Sequence, residues 1–451
     1  MRLPEGPLVA FYGDDFTGSS AVVEVLTFGG FPTVLFFDVP DAAALARFGA
    51  VRGIGIAGDA RARGPAWMDA HLPPVFEALR ATGAPLVHYK VCSTFDSAPH
   101  VGSIGRATDI ALSAGGWAPL IVAAPAIGRY QAFGNLFAAA GDAVHRLDRH
   151  PTMSCHPVTP MDEADVTRHL ARQTDRRIGL VDMRALKAGR GREALEAERA
   201  AGATVIALDV VDEETLAAAG ALVWEAAEAG QIFAAGSQGV EYALVAAWRA
   251  AGLAPAVPVS AGAGPADRVA VVSGSCSPWT AGQIDRAEED GFALIALDAR
   301  AVLDAAAWER ERARVVAEAL RALSEGRDPL VHSARGPQDP AVVAFREASG
   351  GDEGANQRLG EGLGEILSAV VREAGLKRAA IAGGDTSSAA AKGLGLVAVT
   401  AKAPLAAGAP ILQGYGDDPA TDGIEIALKG GQMGPPRFFQ HLRAGGPGEQ
   451  R

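Results

Sequence analysis

What most constrains this chain is an alternation, kept through most of its length, between short apolar runs and alanine-rich stretches of helical character. Leu8–Tyr12, Thr33–Phe37, Val51–Ala57, Leu86–Val91 and Leu120–Ala124 are bounded by turn residues and read as buried parallel strands. Ser19–Phe28, Ala66–Thr82 and Ile104–Ala114 between them read as helices. Further on, Arg177–Val181 and Val205–Leu208 read as strands, followed by helices at Asp212–Ala229 and Val240–Ala250. Such βαβα order predicts an α/β fold whose sheet is mostly parallel and covered on both faces.

At 451 residues the chain is about three times a typical domain, which favours two or three folding units. The stretch 251–267, rich in Pro, Gly and Ala, has no amphipathic period and is the best linker candidate. The expected division is 1–252, a linker over 253–267, and a second α/β unit over 268–451. No internal repeat is evident, and Ala348–Asn356 reads as a mobile surface loop.

Composition excludes several classes. With 49% hydrophobic and 21% charged residues the chain is not a disordered one. A net charge of −12 argues against a nucleic-acid partner, which needs clustered Lys and Arg, but not against a small anion in a local pocket. No apolar run approaches the ~20 residues of a membrane span. Pro4, Glu5 and Pro7 interrupt any signal-peptide core, so the chain reads as cytoplasmic. Cys92, Cys155 and Cys276 are far apart, which disfavours a disulfide framework or a zinc finger. His145, His150, His156 and His169 offer no ligand pair on a rigid element, so catalytic zinc is disfavoured and metal ligands stay unassigned.

Five segments carry chemistry. Gly13-Asp-Asp-Phe-Thr-Gly18 follows the first strand, where open α/β sheets place ligand loops. Its glycines have P-loop spacing, but Ser19 stands where that motif has Lys. Asp14 and Asp15 suit general-base work, or one of them caps the next helix. Lys90-Val-Cys-Ser-Thr-Phe-Asp96 offers a cation, hydroxyls (Ser93, Thr94) and a carboxylate to a polyhydroxylated acid, or forms a helix-entry loop. Arg61, after another strand, presents a planar fork suited to a carboxylate. In the second half, Ser273-Gly-Ser-Cys-Ser277 and Ile381-Ala-Gly-Gly-Asp-Thr386 let main-chain N–H groups approach a phosphate. Lys429-Gly-Gly-Gln-Met-Gly434 sets a cation among glycines. The first loop lacks the G-x-G-x-x-G turn of a dinucleotide oxidoreductase. A catalytically silent binding protein is the other class to weigh, should the aspartates only cap a helix.

Taken in order, Asp14–Gly18, Lys90–Asp96, Pro125–Arg129, Ser273–Ser277, Gly383–Ser387 and Lys429–Gly434 resemble the motifs of the four-carbon acid sugar kinase family, across nearly the whole chain. The resemblance implies two α/β domains, the first binding a sugar acid and the second ATP, with the active site in the cleft between them. It implies transfer of phosphate to the terminal hydroxyl of threonate, erythronate or 3-oxo-tetronate, with ATP and Mg²⁺, and is compatible with a homo-oligomer. By that analogy Asp15, or else Asp14, accepts the hydroxyl proton. Arg61 and Lys90 neutralise the substrate carboxylate, and Ser93, Thr94, Asp96 and Arg129 complete the acid site. Ser275, Gly383, Gly384, Asp385, Thr386, Lys429 and Gly431 would cradle the nucleotide. The form of Lys90–Asp96 is similar to the 3-oxo-tetronate branch. The stretches Gly128–Phe137 and Arg149–Pro157 depart from the usual pattern, which makes a branched acid such as 3-oxo-isoapionate an alternative substrate.

Overall fold

The computed structural model describes residues 2–141, 143–155, 158–256, 262–350, 352 and 354–446, with the side chains of 385, 386 and 388 left aside. Two compact units form, Met1–Val34 with Val39–Val257, and Leu35–Asp38 with Pro258–Arg451. Part of the expected linker, 257–261, lies outside the described residues. No described helix is long and apolar enough to cross a membrane.

In the first unit seven parallel strands run in the order Gly53–Ala57, Val9–Gly13, Leu86–Lys90, Ile232–Gly236, Ala118–Ile121, Val205–Leu208, Ile178–Val181. The predicted helices recur as Phe16–Phe28, Pro65–Ala81, Ile104–Ala111, Glu213–Ala229 and Gly239–Ala250. Helix Pro65–Ala81 shows why such a segment folds where it does. Met68, Leu72, Phe76 and Leu79 recur at helical spacing, and all four are buried against strand residues such as Tyr12, Val87 and Tyr89. Phe76 meets the Tyr89 and Phe233 rings edge-on. A second aromatic group, Trp224 and Trp248 with Phe31, joins the two helices that precede the linker to the first helix–strand turn.

The second unit places five parallel strands in the order Ala293–Ala296, Pro329–His332, Ala270–Ser273, Arg378–Ala382, Glu425–Lys429. An antiparallel pair, Ala409–Gly416 and Leu396–Ala406, extends the sheet beyond Glu425–Lys429. Its core joins Val271, Leu330 and Ala380 to Ile284 and to Phe438, Phe439 and Leu442 of the last helix. The expected loop Ala348–Asn356 is shorter than the sequence suggested. Helix Pro340–Ser349 reaches into it from one side and helix Gly354–Ala374 starts inside it.

A three-stranded antiparallel meander, Arg129–Ala132, Asn135–Ala140 and Ala143–Arg146, forms its own small sheet in the first unit. Its first turn puts Phe133 at φ +50° and Gly134 at φ +77°. Such a conformation costs a bulky L residue about 1–2 kcal/mol. The turn is held by Asp209, which is fully buried and accepts from the backbone N–H groups of Phe133, Gly134 (3.0 Å) and Met183 (3.1 Å) and from Gln131 Nε2 (3.2 Å). Asp209→Ala removes the acceptor for all of these donors. The expected result is a loss of about 2–4 kcal/mol of stability, measured as a lower urea midpoint at unchanged slope, with Asp209→Asn losing less.

Candidate active site

Register alone gathers the loops of the first unit. Gly13 pairs with Ala57 on one side and Lys90 on the other, and Lys90 pairs with Gly236. The segments that follow these strands therefore leave the sheet side by side at its carboxyl edge, the ligand edge of an open α/β sheet. Main-chain bonds seal them together: Asp14 N–H donates to Lys90 O (2.9 Å) and Arg61 N–H to Asp14 O (3.0 Å).

Arg61 then binds both aspartates. Its Nη2 donates to Asp14 Oδ1 (2.7 Å) and to Asp15 Oδ1 (2.7 Å), and its Nε to Asp14 Oδ2 (3.3 Å). Lys90 Nζ lies 3.9 Å from Asp15 Oδ1. Asp15 is also the N-cap of helix Phe16–Phe28, accepting from Gly18 N–H (3.0 Å) and Thr17 Oγ1 (2.9 Å). Capping and site chemistry were posed as rival readings of this pair; one carboxylate serves as cap and ion-pair partner together. Gly18 sits close under both groups: a Cβ there would lie 2.1 Å from Asp15 Oδ1 and from Lys90 Nζ, so either side chain would have to shift.

The two carboxyls differ in proton affinity. Burial dominates at Asp14 and pushes it above the ordinary range, against the pull of Arg61. At Asp15 burial pushes the same way, but Arg61 and Lys90 together outweigh it and hold the carboxyl below the ordinary range. Burial works against the Arg61 cation, and Asp14 and Asp15 more than reverse that, so it stays charged.

The Lys90 loop supplies the next layer. Thr94 Oγ1 donates to Asp96 Oδ1 (2.6 Å), and Cys92 Sγ lies 2.9 Å from Thr94 Oγ1. Burial, helped by Asp96, pushes the Cys92 thiol up to about 11, so it is a neutral group at pH 7. Phe95, fully buried at φ +56°, makes the turn that brings Thr94 and Asp96 together. Ser97 holds that turn through Phe95 O (3.0 Å), His169 Nε2 (3.0 Å) and Gln173 Nε2 (2.8 Å). Ser93 is half-buried beside them. Arg129 begins the meander, tied by its main chain to Ala124 in the loop after strand Ala118–Ile121. Sequence reasoning passed over Gly236-Ser-Gln-Gly239, which adjoins Lys90 in the ladder and packs Ser237 Oγ on Val122 O (2.6 Å). A Gly-Ser-Gln-Gly turn directly after the apolar run Ile232–Ala235 was the available signal.

In the second unit Ser273 pairs with His332 and with Ala382, and Ala382 with Lys429, so three predicted segments emerge in line. The fourth strand end, His332-Ser333, was not anticipated; Ser333 N–H donates to Ser273 O (3.0 Å). Helix Pro278–Glu289 fastens two of the loops. Ser275 Oγ donates to Thr280 Oγ1 (3.2 Å), which donates to Gly431 O (2.9 Å), while Trp279 Nε1 and Gln283 Nε2 donate to carbonyls of 433–435. A Cβ on Gly431 would come within 3.1 Å of Ser277 Cβ and 3.2 Å of Ser275 Oγ. Gly383, at φ +127°, leads into helix Gly384–Gly393 without a side-chain cap. The side chains of Asp385 and Thr386 lie outside the described part.

Lys429 is fully buried, and among the described residues its Nζ donates to neutral oxygens, Thr280 Oγ1 (3.0 Å) and Gly430 O (2.9 Å). Burial pushes its ammonium down to about 7. His145 and His150 rings lie 5.9 Å apart, His169 is bound to Ser97, and His156 lies outside the described residues. Among the described residues no group of three or more His, Cys, Asp or Glu is placed to hold a metal.

The Lys429 environment has a consequence for stability. The unfolded chain keeps this proton up to the ordinary lysine value of 10.5, whereas the folded chain releases it near 7. Stability therefore rises with pH between those values and carries the full penalty below the lower one. Lys429→Met is expected to flatten the rise in melting temperature between pH 7 and about 9, measured by thermal unfolding of the ligand-free chain.

Comparison with known proteins agrees with this two-part layout. Residues 9–244 match the sugar-binding N-terminal domain and residues 270–439 the nucleotide-binding C-terminal domain of one protein family. A 3-oxo-isoapionate kinase from Paraburkholderia graminis is 48% identical over 98% of this chain and 95% of its own. A 3-oxo-tetronate kinase from Cupriavidus necator is 30% identical over 97% and 96% respectively. Among solved structures, a protein of Salmonella typhimurium LT2 superposes with a TM-score of 0.78 at 26% identity, covering 96% of this chain and 98% of its own. These likenesses run the length of both units, and the chain belongs to the four-carbon acid sugar kinase family, phosphotransferases that act on a hydroxyl of a small sugar acid.

Proposed function

We propose that this kinase phosphorylates the terminal hydroxyl of 3-oxo-isoapionate in preference to 3-oxo-tetronate. The observation that carries the reading is the 48% identity to a 3-oxo-isoapionate kinase, against 30% to a 3-oxo-tetronate kinase, over nearly equal lengths. The Lys90–Asp96 loop favours the second acid, and both are open-chain keto acids bearing a primary hydroxyl.

Phosphoryl transfer asks little covalent chemistry of a protein. It asks that the hydroxyl stand in line with the γ-phosphate, that its proton have a destination and that charge on the moving group be met. Asp15 is the proposed acceptor or orienter of that hydroxyl. It is held ionised by Arg61 and Lys90 and is more exposed than Asp14, whose side chain is 2% accessible against 16%. Thr94, Asp96 and Ser93 are the proposed partners of the remaining hydroxyls. The main chain at Gly383, Gly384 and Gly431, with Ser275, is the proposed cradle of ATP, and Asp385 and Thr386 lie in the same turn. Lys429 is proposed to brace that cradle from beneath. ATP enters as its Mg²⁺ complex, the metal carried on the phosphates and offsetting their charge.

Two measurements test this. An ADP-release assay over 3-oxo-isoapionate, 3-oxo-tetronate, threonate and erythronate is expected to give the highest kcat/KM with the first; a higher value for any other acid overturns the preference. Asp15→Asn keeps a capping oxygen and removes the charge, so the helix is retained. Its kcat is expected to fall by about 10²–10⁴-fold with little change in KM. Near-normal turnover in that variant assigns the proton elsewhere.

A further inference from the structure

The sugar acid brings a carboxylate, and the cation that sequence reasoning offered it is already engaged. Arg61 stands between Asp14 and Asp15, and Asp96 acts on the same guanidinium. A further carboxylate there would meet more negative charge than positive. Lys90, almost fully buried, is shared with Asp15.

Arg129 is differently placed. Its Nη1 makes only long contacts to main-chain carbonyls, those of Ile127 (3.3 Å), Gly128 (3.3 Å) and Ala139 (3.5 Å). Its Nε is buried with no acceptor. No described carboxylate pairs with it. Burial pulls the guanidinium below its ordinary value. Its titratable neighbours include imidazoles: Arg129 acts on His150, as does His145. Among the described residues this guanidinium has no anion beside it.

Its position suits that anion. Arg129 N–H and C=O are bonded to Ala124, just past strand Ala118–Ile121, whose Ile121 pairs with Gly236, the residue that pairs with Lys90. The strand is fixed by Gln131, whose Nε2 donates to Leu208 O (3.3 Å) and Asp209 Oδ1 (3.2 Å). Cys92, in the substrate loop, is near enough to act on its charge.

We propose that Arg129, rather than Arg61, receives the carboxylate of the sugar acid, and that Arg61 instead holds Asp14 and Asp15 in place. This rests on the proposed function. A guanidinium fork meets a carboxylate with two parallel donors, which fixes the acid's orientation as well as its charge.

The test uses the full chain with Arg129→Gln and Arg129→Lys, each checked for an unchanged melting temperature. Substrates are 3-oxo-isoapionate, 3-oxo-tetronate, and the methyl ester of whichever acid reacts better. Arg129→Gln is expected to raise KM for the acid about 10–100-fold, with kcat within a few-fold and KM for ATP unchanged. The uncharged ester should react equally poorly with wild type and variant. Arg129→Lys, which keeps the charge without the fork, should show a smaller rise and covers the case in which the Gln variant does not fold. An unchanged KM for the acid, or a parallel loss with acid and ester, overturns the inference while leaving the kinase reading intact. A wild-type chain that releases no ADP with either acid overturns both.

Discussion

The ion pairs of Arg61 are the interaction on which the first unit's site depends. One side chain from the loop after Gly53–Ala57 gathers two carboxylates from the loop after Val9–Gly13. Without it, two buried acids would repel each other next to Asp96. Removing one partner of such a buried pair typically costs about 3–5 kcal/mol, because the charge left behind is uncompensated. The arrangement also divides the aspartates by environment. Burial governs Asp14 and neighbouring cations govern Asp15, so identical side chains side by side acquire different proton affinities.

The second unit solves a related problem with a different tool. Its four strand ends, at Ser273, His332, Ala382 and Lys429, are in register, and main-chain bonds tie the loops beyond them together, Gly274 N–H donating to Ala382 O, Gly383 N–H to Lys429 O and Ser333 N–H to Ser273 O. Where the first unit collects charged side chains, this one relies on backbone, with Thr280 and Gln283 of a single helix bracing the glycine loop. Lys429 is the exception, a buried amine beneath that loop whose bonding partners among the described residues are neutral oxygens.

Much of this was legible in the amino-acid order. Strands Val9–Gly13, Leu86–Lys90 and Val205–Leu208 are apolar runs closed by turn residues, and buried parallel strands must read that way. The loops after the first two announced themselves through Asp, Ser, Thr and Gly at strand ends. The meander over Arg129–Arg146 did not, because Asn135–Ala140 is half alanine and Ala143–Arg146 is a short Ala-Val-His-Arg run, both held by pairing and by Asp209 from far along the chain. Nor could local pattern foresee Phe95 or Phe133 at positive φ, a conformation that tertiary contacts impose on residues that disfavour it. His332-Ser333 and Ser237 escaped for a third reason. Their segments look ordinary, and only the order of strands in the sheet brings them to the edge where ligands bind.

Asp15 has a double attachment whose effect reaches past the site. The carboxylate that meets Arg61 also holds the amide of Gly18 in the first turn of helix Phe16–Phe28. Anything that draws on its negative charge, whether a proton or a bound hydroxyl, competes with that amide for the same oxygens. On the proposed role of Asp15, solvent exchange at the Gly18 amide becomes a local gauge of site occupancy, readable without following the reaction at all.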